Sequence, residues 1–76
     1  MLSLKNIARE LAIKNKNIIG RSSDNQECAC EIIFDLLLQR TGKTTGELSE
    51  ADLENYWDAA YYGYQAIESF LVYLED

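Results

Sequence analysis

Apolar residues recur along this chain at spacings of three and four, and no stretch sustains the alternation of a half-buried strand. That period suits a helix burying one face. It is clearest in the C-terminal third, where Leu53, Trp57, Ala60, Tyr64, Ile67, Leu71 and Leu74 form a seam close to heptad period. Tyr56, Gly63 and Phe70 widen one edge of it. The chain contains no proline to interrupt the pattern. Ser49 stands as N-cap with Asp52 three residues on, and Leu48 and Leu53 are spaced as a hydrophobic staple. The spacing predicts a helix over residues 50–74, with Gly63 marking either a kink or a close approach of another backbone.

Two further segments share the helical period. The first follows Ser3 and places Leu4, Ile7, Ala8 and Leu11 on one side, predicting a helix over 4–16 that fades at Asn15 to Asn17. Ile18 and Ile19 are expected to re-enter the core before Gly20 ends the run. The second is predicted over 24–41, opening at Ser22 or Ser23 with Ser23 and Gln26 as a capping box. Gly42 stands where a helix stop needs positive φ. At ~100° per residue, Asp24, Glu27, Glu31 and Asp35 share a narrow arc. Ala29, Ile33, Leu36 and Leu37 oppose them, and Ile32, Phe34 and Leu38 fill the flanks, so this helix is expected at the centre. At ~1.5 Å per residue the last helix would reach ~37 Å against ~27 Å for this one. The overhang calls for the first helix, a break at Gly63, or a second chain. The expected fold is all-α: one domain of 76 residues, a small three-helix bundle with a long C-terminal helix.

The inventory of reactive groups is thin. With no histidine, the commonest general base and transition-metal ligand are missing. Carboxylates at i and i+4, such as Glu27 with Glu31 or Glu54 with Asp58, lack the Glu-x-x-His partners of di-metal bundles. Cys28 and Cys30 would point to different sides of a helix, so they are expected as reduced, packed thiols. Gly42-Lys43-Thr44 echoes a phosphate loop but lacks its upstream glycine and strand. No catalysis, cofactor or metal is expected. Lys5, Arg9 and Glu10 break up the N-terminal apolar residues, and no run approaches the ~18 apolar residues of a membrane span. A cytoplasmic chain with no membrane partner is the expectation.

Charge is distributed unevenly. Thirteen acids against seven bases give a net charge of −6. Residues 1–21 hold five bases and one acid, whereas residues 22–76 hold two bases and twelve acids. Opposite the seam of the last helix lie Glu50, Glu54, Asp58, Tyr61, Gln65 and Glu68, with Tyr62 nearby. Carboxylates mixed with tyrosine suit a protein-binding surface, because Tyr gives large contact area at low rotamer cost. The predicted surface comprises Glu54, Asp58, Tyr61, Tyr62 and Gln65, supported by Glu27, Glu31 and Asp35.

The expected activity is non-catalytic inhibition or modulation of a protein with a basic surface, a nucleic-acid-binding effector being one such class. Aligned carboxylates can imitate a phosphate backbone, which such effectors read through Lys and Arg. Small acidic bacteriophage inhibitors of restriction or CRISPR effectors have this size and charge. An alternative comes from LKNIARELAIKNKNIIGR, which resembles the start of a helix-turn-helix DNA-binding regulator. In it Ile7, Ala8, Leu11, Ile13 and Ile18 would be core, Lys14, Lys16 and Arg21 would face phosphates, and Asn15 or Asn17 would approach bases. A third reading is a homodimeric structural or adaptor subunit joined through the heptad seam.

Overall fold

The computed structural model describes residues 3–68. Within them the chain is an all-α bundle of α1 (Leu4–Lys14), α2 (Lys16–Ser22), α3 (Gln26–Thr41) and α4 (Glu50–Ile67), with a 3-10 turn at Thr45–Glu47. The bundle has one helix more than expected. The predicted stretch up to residue 74, with Phe70, Leu71 and Leu74 of the seam, lies outside the described residues. Within them α4 runs unbroken through Gly63.

The extra helix comes from the way Asn15 divides the N-terminal run. Ser3 caps α1, its hydroxyl accepting from the Asn6 N–H at 3.2 Å. Asn15 ends α1, its side-chain amide donating to the Leu11 carbonyl at 2.8 Å and so competing with the backbone ladder. The Asn15 carbonyl then accepts from the Ile19 N–H at 2.9 Å, and a second helix starts one residue later. Gly20 does not end it. α2 runs to Ser22 and stops at Ser23, whose buried hydroxyl donates to the Ile19 carbonyl. Ser23 is therefore unavailable as the predicted cap of the next helix. Asn25 takes that place, its Oδ1 accepting from the Cys28 N–H at 2.9 Å, so α3 starts at Gln26 and Asp24 precedes it.

The predicted cap at Ser49 and stop at Gly42 hold. Ser49 accepts from the Asp52 N–H at 3.2 Å, and Leu48 and Leu53 pack against the core. Gly42 ends α3 with φ 71°. Its N–H donates to Gln39 and that of Lys43 to Leu38, the paired bonds of a Schellman stop. The Gly42–Gly46 segment is a connector. Its 3-10 turn is held by the Thr44 N–H donating to Glu47 Oε1 at 2.9 Å.

Packing buries Ala60, Tyr64 and Ile67 of the predicted seam, with Leu53 against the core, and shifts the buried face toward the seam's Tyr56–Gly63 edge. The buried residues of α4 are Tyr56, Ala59, Ala60, Gly63, Tyr64 and Ile67. Small residues dominate because α1 lies close, presenting its own buried Ala8 and Ala12; the pair α1 with α4 is the most extensive in the bundle. A Cβ on Gly63 would sit 2.8 Å from the Ala8 carbonyl oxygen. Gly63 is thus the close-approach glycine and not a kink. Trp57, expected in the seam, is too large for so tight a contact and remains 40% exposed at its margin, while Tyr56 from the edge is buried.

α3 lies antiparallel to α4, as three pairs along the interface show. The Tyr56 hydroxyl donates to Thr41 Oγ1 at 2.8 Å. Phe34 stacks on Trp57 with ring centroids 4.3 Å apart. Glu27 and Cys30 line one groove with Tyr61. Ala29, Ile33 and Leu37 are fully buried as expected, joined by Cys30 and Phe34, whereas Leu36 is only half-buried. Both cysteines are free.

Candidate partner-binding surface

The outward face of α4 is set by the same period that buries its inner one. Glu54, Asp58, Tyr61 and Gln65 fall within an arc of roughly 60° at ~100° per residue, and all four are exposed. On the neighbouring α3, Glu27, Glu31 and Asp35 repeat at four-residue intervals along an exposed edge. Among the described residues, none of the carboxylates Glu27, Glu31, Asp35, Glu54 and Asp58 hydrogen-bonds or forms an ion pair. The bases of α1 and α2 therefore leave this flank uncancelled.

Glu27 and Tyr61, far apart in sequence, come together in the structure. With Asn25, Gln26, Cys30 and Trp57 they line an open groove of about 650 Å³ between the start of α3 and the middle of α4. Its two aromatic walls are each backed by an aromatic from the buried set. Trp57 lies against Phe34 at 4.3 Å with planes inclined by 26°, and Tyr61 lies against Tyr64 at 6.2 Å and 20°. Offset contacts of this kind contribute about 0.5–1.5 kcal/mol beyond area burial, and they hold both rings in place before anything binds. Burial pushes the Cys30 thiol pKa upward, so the floor of the groove is a neutral thiol.

Tyr62 faces another way, and Gln65 stands between the two sides. They line a second cleft with Arg9, Ile13 and Ala66, and Lys5 Nζ lies 5.8 Å from the centre of the Tyr62 ring. The predicted surface is thus split: Tyr61 belongs to the acidic side, whereas Tyr62 meets the basic helix and Gln65 borders both. Trp57 is a groove residue that sequence reasoning did not include in the surface. Its spacing of four from Tyr61 put the two rings on one stripe, but its apolar character assigned it to the seam.

The region resembling a helix-turn-helix is arranged differently from that expectation. Ile13 and Ile18, assigned to its core, are 44% and 58% exposed, and the would-be recognition helix α2 has only seven residues. No described helix is long and apolar enough to cross a membrane. Among the described residues, no three side chains of metal-ligating type come together.

No protein-family model, curated protein or solved structure matches the chain.

Proposed function

We propose that this protein is a non-catalytic binding module that modulates a partner by covering its basic surface. The observation that carries the reading is a flank of uncapped carboxylates on α3 and α4, beside two exposed aromatic rings already held by buried neighbours. Unpaired surface charge of one sign accelerates encounter with the opposite sign, commonly by tenfold or more at low salt. Buttressed rings then add contact area with little loss of side-chain entropy. A partner that normally grips nucleic acid through Lys and Arg fits this chemistry, because carboxylates on adjacent helices present acceptors in rows. Inhibitors used by bacteriophages against restriction or CRISPR effectors are one setting in which such a module would act.

Immobilised protein tests the reading by capture of basic proteins from a bacterial lysate, followed by washes of increasing salt. The captured partner should elute as salt rises and should be displaced by duplex DNA if its nucleic-acid site is covered. Glu54→Lys with Asp58→Lys should slow association at least tenfold at low salt and flatten the salt dependence. Unchanged association by the double variant would remove this face from the interaction.

A further inference from the structure

We infer that the groove lined by Trp57, Tyr61 and Glu27 is a receptor for an arginine side chain of the partner. This assignment rests on the proposed binding to a basic protein and names the group that would anchor it. The flank as a whole is acidic, and in this groove a carboxylate and two exposed aromatic rings share one concave space. A guanidinium is planar, remains charged, and is weakly hydrated enough to lie on an aromatic face while its N–H fork meets a carboxylate. Trp57 and Tyr61, 40% and 44% exposed, offer the faces. The Glu27 carboxylate has no described partner and offers the acceptor.

Other occupants fit less well. An anion would meet Glu27 in the groove and Glu31 one turn further along the same edge. The positive end of α3 would attract it, but that end carries only about half a charge, and the Cys28 N–H is already taken by Asn25. A neutral apolar group would cover Glu27 without pairing it, leaving a desolvated charge. A lysine ammonium could approach the rings, yet it cannot combine flat stacking with a two-point contact to the carboxylate.

Trp57 is the only tryptophan in the chain, so intrinsic fluorescence reports on the groove directly. The experiment is a titration of the whole protein with a blocked arginine–glycine peptide and with its lysine and citrulline counterparts; citrulline keeps the shape of arginine without its charge. The arginine peptide should change Trp57 emission saturably. The lysine peptide should bind several-fold more weakly, and the citrulline peptide should leave emission unchanged. Glu27→Gln should weaken the arginine peptide roughly tenfold, and Tyr61→Ala roughly threefold to tenfold, with the unfolding midpoint of each variant establishing that it is folded. Equal responses to arginine and citrulline, equal affinity for arginine and lysine, or unchanged affinity in folded Glu27→Gln would each overturn the assignment. The broader reading fails separately. If Glu27→Gln binds the captured partner normally while the Glu54 and Asp58 reversal abolishes binding, the arginine receptor is wrong and the acidic flank stands. If the arginine peptide responds as expected but the double reversal leaves the partner's binding intact, the groove stands and the flank is wrong.

Discussion

Gly63→Ala lowers stability by up to about 2 kcal/mol, the opposite of what helix propensity alone would give. In an exposed helix interior, Ala in place of Gly gains about 1 kcal/mol. Here the new methyl would lie 2.8 Å from the Ala8 carbonyl oxygen and 3.1 Å from its carbonyl carbon. Both are backbone atoms of α1, so no side chain can rotate away. The helices must separate at this contact, and overpacking of this kind costs about 1–3 kcal/mol. For a domain of this size each kcal/mol lowers the melting temperature by about 4–8 °C. Ala8→Gly should not rescue the variant, because the side chain of Ala8 contributes only the longer, 3.4 Å contact. Thermal unfolding of the single and double variants checks both statements. A rise in melting temperature for Gly63→Ala would mean that α1 and α4 do not approach this closely.

Leu37→Ala has the larger expected cost. Leu37 is fully buried at the centre of the core, where loss of a leucine side chain removes transfer energy and leaves a cavity, together about 2–5 kcal/mol. A chain of this length is expected to hold roughly 4–11 kcal/mol in total, so the variant would lose a large fraction of its stability. Leu36, one residue away, is only half-buried, and Leu36→Ala should cost less than half as much. Urea unfolding distinguishes them: the midpoint falls steeply for Leu37→Ala with an unchanged slope. Equal costs at the two positions would contradict the orientation of α3.

The contrast between neighbours shows where periodicity was a sufficient guide. It found three of the four α-helices and the caps at Ser3, Ser49 and Gly42, because those depend on residues within one turn of each other. It failed where a side chain had two local uses. Ser23 has the spacing of a cap, yet it closes α2 instead, and Asn15, the expected fading point of the first helix, also opens α2. It failed again where tertiary contact chose the face. Trp57 fits the heptad spacing as well as Tyr56 does, but the closeness of α1 admits alanine and glycine and leaves the indole at the margin. The acidic stripes were legible because exposed carboxylates follow the same period as the core they oppose. The groove was not, because the approach of Glu27 to Tyr61 is a property of how α3 crosses α4. The separation of Tyr61 from Tyr62 was hidden for the same reason, since it needs the position of Lys5 on α1.

Amide and indole N–H chemical shifts recorded during titration with an arginine-rich peptide test the central claim most directly, because they show which face is occupied. The predicted changes cluster at Glu27, Glu31, Asp35, Glu54, Asp58 and Tyr61 and at the Trp57 indole, and they shrink as salt shortens the screening length below about 8 Å. Changes centred on Lys5, Arg9 and Ile13, or changes indifferent to salt, would contradict it.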